Sequence, residues 1–425
     1  MDDGSIDVKR AARETAYAMP LADINPSDPE IFRTDTWGPY FERLRAEDPV
    51  HWSVSPEEEV GGYWSVTKFN DIMAVDTNHE AFSSEPTIVL PDPEEDFTLP
   101  MFIAMDPPKH DAQRKTVSPI VAGPNLAKME GIIRARAADI LDECPIGEEF
   151  DWVDKVSIEL TAMTLATLFD FPMQDRRKLS RWSDVATAAP DSGLFSSSDP
   201  EIAEQERRME LFECADYFTR LWNERVNAEP GPDLISMLAH GEATRDMDRM
   251  EYLGNLILLI VGGNDTTRNT ISGSVLALHQ NPDQDRKLRE NPALIPSMVS
   301  ETIRWQTPLA YMRRSATRDV ELRGKTIKAG DKVAMWYVSG NRDEEVIERP
   351  NDYIIDRERV RQHLSFGFGI HRCVGNRLAE LQLKIIWEEI LKRFPKIEVT
   401  APPVHVNSPF VKGYEKLKVI IPTRN

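Results

Sequence analysis

The sequence predicts a mainly α-helical protein with a small β lobe drawn from its two ends. Helical periodicity dominates residues 109–310. Short runs of β-branched and aromatic residues lie before and after that region, and closely spaced turn residues punctuate them. At 425 residues the chain exceeds an ordinary domain but fits one large fold with a minor lobe. We read it as a single domain: a leading arm over residues 1–35, a β lobe from about 40–85 and 311–425, and a helical lobe over about 109–310.

The arm is polar and broken by Pro20, Pro26 and Pro29, with some helix expected. Residues 50–54 and 62–66 read as strands. A Pro-rich loop follows over 85–108, and its apolar members, Phe102 among them, must pack under another element or line a ligand cavity. Helices then run to about residue 310 with breaks near 190–193 and 229–232. Strand signals return over 311–338, turning at 328–331, and again at 397–400 and 417–421. A last helix is predicted over about 376–392, stopped by Phe394-Pro395.

Composition narrows the function. Hydrophobic content of 41% with 29% charged residues is that of a soluble globular protein. A formal net charge of −20 argues against nucleic acid or an anionic membrane as partner. The acidic first residues read as neither signal peptide nor membrane anchor, and the apolar run from Tyr252 to Asn264 is too short to span a bilayer. Three scattered cysteines, Cys144, Cys214 and Cys373, suit a reducing compartment, and no CxxC pair suggests structural zinc. The expectation is a cytoplasmic enzyme.

Residues 366–375, Phe-Gly-Phe-Gly-Ile-His-Arg-Cys-Val-Gly, concentrate the chemistry. Glycines at 367, 369 and 375 permit tight turns and close approach to something large and flat. Cys373 precedes a helical pattern, with Arg372 and Arg377 nearby, so its thiolate is favoured. The stretch resembles the haem-binding loop of the cytochrome P450 superfamily, Phe-Gly-x-Gly-x-His-x-Cys-x-Gly, at every fixed position. The resemblance extends over nearly the whole chain. It implies the cytochrome P450 fold, haem b (iron protoporphyrin IX) between a long central helix and the cysteine loop, and Cys373 as the iron ligand.

A second motif lies in an apolar-rich helix predicted from Asp248, with Glu251 completing a capping box, to about Asn281. Its middle, residues 262–267 (Gly-Gly-Asn-Asp-Thr-Thr), is poor helix sequence and predicts a bulge or kink. Thr266 can hydrogen-bond reacting oxygen and Asp265 can relay protons to it; alternatively, both are satisfied by helix carbonyls. The pattern resembles the superfamily's acid–alcohol pair, which implies a catalytic role for Asp265 and Thr266.

Haem propionates need cationic or hydrogen-bonding partners. The resemblance implies His110 and Arg114, one turn apart, Arg314 in an Arg-x-Ala strand, and His371; taken singly, each also reads as a surface side chain. Alternation sends Arg313 and Arg314 to opposite faces. Glu301 and Arg304 resemble the family's Glu-x-x-Arg, with Arg357 as third member, and imply a structural role. Arg361, Arg372, Arg377 and Lys384 form a basic stretch: a solvated face, or a dock for an acidic electron donor.

No dinucleotide-binding fingerprint appears, so electrons must come from separate proteins, such as a ferredoxin and its reductase. Residues 258–270, 305–314 and 364–376 are similar to the bacterial alkane ω-hydroxylase subfamily. This implies O2-dependent terminal hydroxylation of medium-chain alkanes, fatty acids or related linear compounds. Candidate pocket residues are Phe102, Leu256, Ile260, Gly263, Leu309 and Phe410, which also read as plain core. Rival readings are a terpene or steroid hydroxylase, a peroxide-driven haem-thiolate enzyme, and a non-catalytic haem sensor.

Overall fold

The computed structural model describes residues 3–94 and 96–425 and divides them into two compact units. One takes Met1–Glu94, Gly273–Cys373 and Pro403–Glu415; the other takes Glu95–Ser272, Val374–Pro402 and Lys416–Asn425. The helical run expected over 109–310 therefore divides at Gly273, and the C-terminal strands are shared out between the units.

The first unit is built on a five-stranded sheet. Val50–Val54 pairs antiparallel with Gly62–Val66, which runs parallel to Lys332–Met335; Met312–Ala316 and then Phe82–Ser83 complete the order. Both predicted early strands are present with their predicted bounds, because each alternates a buried face with a more open one. Trp336 packs among Tyr311 and Phe41, ring centroids 4.8 and 5.1 Å away, in an aromatic core that includes Phe32 and Trp37. A second core gathers Phe69, Ile72, Val75, Met335, Tyr337 and Leu364 beneath the cysteine loop's approach. The leading arm holds a helix, Asp3–Ala18, tied down by Lys9–Asp35 at 2.9 Å and Arg13–Glu42 at 2.7 Å.

The second unit is helical, with one three-stranded sheet formed by Glu149–Asp151, Lys418–Ile420 and Glu398–Val399. Helices Gly123–Asp142 and Asn376–Arg393 pack together, and Arg134 joins them through Glu388 (2.6 Å) and Glu389 (3.0 Å). The long helix runs from Arg249 to Gln280, its part up to Ser272 lying in this unit. Asp248 caps it through the amides of Met250 and Glu251, at 2.8 and 2.9 Å. The expected capping box is only half made: the Glu251 side chain turns to Lys109 (2.8 Å) and Gln113 instead.

The bulge or kink expected at residues 262–267 is absent, and the helix passes through them as α-helix. The hydroxyls of Thr266 and Thr270 donate to the carbonyls four residues back, at 2.8 and 2.7 Å, which accommodates them without breaking the helix. The irregular turn sits elsewhere, as a π-helical segment over Val153–Ile158. No helix among the described residues is long and apolar enough to cross a membrane.

Candidate functional site

In the first unit the cysteine loop is shaped by backbone geometry. Gly367 and Gly369 have φ of +63° and +65°, a region that side chains other than glycine rarely adopt. A Cβ on Gly369 would lie 2.5 Å from the Asp76 carbonyl oxygen, so the close packing there also demands glycine. The Cys373 amide donates to the Phe366 carbonyl at 2.8 Å, closing the loop. Cys373 is exposed, whereas Cys144 and Cys214 are buried. Burial pushes the Cys144 thiol up to about 11 and raises Cys214 as well, so neither is a ready thiolate.

The loop is approached through a polar network. Asn341 donates to Thr307 Oγ1 and Ser365 Oγ, both at 2.9 Å, and accepts from the Leu364 amide at 2.7 Å; Ser365 Oγ donates to the Ile303 carbonyl at 2.8 Å. Behind it Glu301 and Arg304, both 0% exposed, form a two-point ion pair with both N···O distances 2.8 Å. Arg357 joins Glu301 through Nε at 3.2 Å and Nη2 at 3.3 Å, as the motif implied, and the Ile354 amide adds a fifth donor at 2.9 Å. Arg304 also donates to the carbonyls of Asn341 and Pro350 at 2.9 and 2.8 Å. His363, buried beside Phe366, is held neutral: burial, then Arg304, Arg372 and Arg361, lower its pKa to about 3.

His371 is buried. Arg313 and Arg314 do face opposite ways: Arg313 reaches Asp92 at 2.8 Å and the Leu90 carbonyl at 3.0 Å, and Arg314 reaches Asp76 at 2.9 Å. Asp76 and the Arg313 carbonyl take two of the five N–H donors of the Arg314 guanidinium. Leu309 and Phe410 are brought together, since Ala310 N donates to the Phe410 carbonyl at 2.9 Å and Leu309 bridges Val411. Both are partly open.

In the second unit Asp265 is 0% exposed and turned toward helix Arg177–Thr187. It accepts from Ser183 Oγ (2.9 Å), Arg268 Nη2 (3.0 Å) and Asn264 Nδ2 (3.1 Å), with Thr187 Oγ1 at 3.4 Å. Burial raises the Asp265 carboxyl's pKa; Arg268 opposes this and Asp184 adds to it. Arg268 Nη2 is shared with Asp184, and its Nε finds no partner among the described residues. Thr266 is partly open and donates to the Gly262 carbonyl; among the described residues no hydrogen bond joins it to Asp265.

The long helix is open to solvent along part of one side only. Leu256 and Ile260 are 0% exposed, while Leu259, Gly262, Gly263 and Thr266 are open to differing degrees. A Cβ on Gly263 would meet Leu165 at 2.6 Å, but on Gly262 it would meet nothing within 4 Å. Gly263 is thus there for helix packing, and Gly262 is the glycine beside open space. Phe102 is buried; its amide donates to Asn255 Oδ1 at 2.9 Å, which pins the Pro-rich loop to the helix. His110 and Arg114 share helix Lys109–Val117; His110 is buried, 2.8 Å from Asp111, and burial lowers its pKa.

Sequence reasoning missed Asp76, Ser183, Asp184, Thr187 and Arg268. Only Arg268, three residues beyond Asp265 on one helix, offered a local signal. Arg361, Arg372 and Arg377 are exposed, and Lys384 is 3.7 Å from Glu388.

The donor set fits haem. Among the described residues no three His, Cys, Asp or Glu side chains are grouped to hold a bare metal ion. Cys373, the exposed one of the three cysteines, is the group that would hold a haem iron, whose remaining protein-independent ligands the porphyrin would supply.

Comparison with known proteins agrees. The family model of cytochrome P450 matches residues 72–420. Linalool 8-monooxygenase from Pseudomonas putida is 35% identical over 93% of this chain and 98% of its own length. A methyl-branched lipid omega-hydroxylase from Mycobacterium tuberculosis is 31% identical over 94% and 95%. The solved structure of cytochrome P450-153 from Novosphingobium aromaticivorans is 48% identical, covers 93% of this chain and 98% of its own, and superposes with a TM-score of 0.85.

Proposed function

The chain belongs to the cytochrome P450 family, a haem-dependent monooxygenase family, and we propose that it hydroxylates the terminal carbon of medium-chain linear alkanes, fatty acids or related compounds. Haem, when bound, would supply the activation of O2, of which one atom would enter a C–H bond and the other leave as water with two electrons and two protons. Cys373 is the iron's protein ligand in this reading. The observation that carries it is that Cys373 alone of the three cysteines is exposed, in a loop whose turns only glycine permits.

Asp265 serves as proton relay and Thr266 as the hydroxyl that orients the reacting oxygen. A carboxyl raised by burial holds a proton at higher pH than a solvated one, which suits that task. His110, Arg114, Arg314 and His371 hold the propionates. Replacing Thr266 by Ala is expected to lower product formed per reducing equivalent while haem binding survives; unchanged coupling would remove the assignment.

An alkane offers nothing to hydrogen-bond, so shape alone must select the terminal methyl, worth about 1–3 kcal/mol per contact feature. Leu309 and Phe410 of the first unit and Leu259 and Gly262 of the second are the accessible residues we assign to this selection, together with Phe102, Leu256, Ile260 and Gly263. Electrons come from a ferredoxin and its reductase, docking on the exposed arginines around Cys373. A second reading, terpenoid or steroid hydroxylation, is favoured by the 35% identity to linalool 8-monooxygenase.

Product analysis on n-octane with a surrogate ferredoxin, reductase and NADH separates these readings. Mainly the primary alcohol is expected. Internal alcohols alone, or no product from protein with an intact carbon-monoxide difference spectrum, would remove the terminal-hydroxylase reading and leave the family.

A further inference from the structure

Asp76 ends helix Phe69–Asp76, about 290 residues before the cysteine loop in sequence, and is nearly closed to solvent. Its carboxylate collects three donors from three other parts of the first unit. Oδ1 accepts from Arg314 Nη2 at 2.9 Å; Oδ2 accepts from the Phe368 amide at 2.7 Å and the Tyr337 hydroxyl at 3.0 Å. The same residue moulds the loop sterically. Its carbonyl oxygen lies 2.5 Å from where a Cβ on Gly369 would be, and its Oδ2 lies 3.2 Å from where one on Gly367 would be. One side chain and one carbonyl thus fix the Gly-Phe-Gly segment, five residues before the cysteine.

From this geometry we infer that Asp76 is a positioning residue for the Cys373 thiolate. It holds the loop's first turn while the Cys373 amide, bonded to Phe366, holds its last. Buried carboxylates are tolerated only with their partners in place, and here the partners are the loop and its neighbours. Asn at this position keeps the shape but turns one acceptor oxygen into an NH2 group facing existing donors, Arg314 on one side or Phe368 and Tyr337 on the other. The loop is then loosened without a cavity. The inference rests on Cys373 as iron ligand, and that reading fails separately, on the unmodified protein, if its reduced carbon-monoxide complex lacks the thiolate band.

The test uses haem-loaded protein and its Asp76→Asn and Tyr337→Phe variants. For each, one follows the decay of the thiolate band in the carbon-monoxide complex, the haem reduction potential, and the global melting temperature. Asp76→Asn is expected to accelerate the decay about tenfold, and Tyr337→Phe, which loses one neutral donor, about threefold. The reduction potential should shift in Asp76→Asn, because donors and charge near the loop change. Decay at the wild-type rate with an unchanged potential would overturn the inference. So would faster decay that merely follows a lowered melting temperature, with no change in potential. If Asp76→Asn does not load haem, Tyr337→Phe decides: acceleration at an unchanged melting temperature supports the inference, and wild-type decay overturns it.

Discussion

Glu301 and Asp265 are the same local device put to different ends. Each is a fully enclosed carboxylate with an arginine three residues further along its helix. Around Glu301 the third member is another cation, Arg357, and every carboxylate oxygen is filled. Around Asp265 the third member is another anion, Asp184, which competes for Arg268 through a single shared nitrogen. The first cluster is over-determined, with more donors than carboxylate oxygens. In the second, one guanidinium serves two carboxylates and its Nε has no partner among the described residues, so a proton or a rotamer change can redistribute the bonds. A two-residue ion pair does not announce its role; the sign of the third charge decides whether it is rigid or exchangeable.

The largest test of this contrast is Glu301→Ala. It takes the carboxylate from buried Arg304 and half-buried Arg357, a loss of about 3–5 kcal/mol out of the roughly 5–15 that hold a folded protein together. Haem-loaded protein should fail to accumulate, measured as haem content per purified chain. Asp265→Asn should do the reverse: haem content and melting temperature close to wild type, and turnover down about a hundredfold. If the two variants were equally damaging to haem loading, the contrast would collapse.

Asp184→Asn sharpens it. Removing the second anion gives Arg268 wholly to Asp265 and removes a charge that raises the Asp265 pKa. A relay that must carry a proton loses activity as pH rises past its pKa. The alkaline limb of the pH–rate profile should therefore move to lower pH, with turnover changed only about threefold. An unmoved limb would mean that Asp184 does not bias the relay.

An effect confined to acid pH is expected at His363, beside Arg304 in the over-determined region. Its pKa falls from the ordinary 6.5 to about 3, chiefly through burial. Between those values the unfolded chain binds a proton that the folded chain does not, so stability declines as pH falls through that window. His363→Gln should flatten part of the acid-induced decrease in melting temperature. A curve parallel to wild type would show that the histidine is not neutral when folded.

Much of this was legible in the sequence because it is local. The cysteine loop declares itself through glycines at fixed spacing from Cys373, and the Glu301–Arg304 pair through its i,i+3 interval. The early strands read directly from short β-prone runs bounded by turn residues, and the helix Arg249–Gln280 lies within a residue of its predicted ends. The bulge at residues 262–267 was expected because propensities count glycine and threonine against a helix. Tertiary packing of the helix, with Leu165 against Gly263 and Asn264 and Asp265 fully enclosed, outweighs those propensities.

By itself, then, the sequence determined the fold class, the family and the identity of the thiolate candidate, because each is written in short-range spacing that chain geometry converts directly into structure. Tertiary structure alone decided which side of the long helix stays open to solvent, burying Leu256 and Ile260 and leaving Leu259 and Gly262 accessible. It also placed Asp184 and Ser183 around Asp265, and Asp76 beneath Phe368, across separations of 82 residues (Ser183 to Asp265) and 292 residues (Asp76 to Phe368). A buried carboxylate must find donors wherever the fold closes over it, and no interval along the chain encodes where that will be.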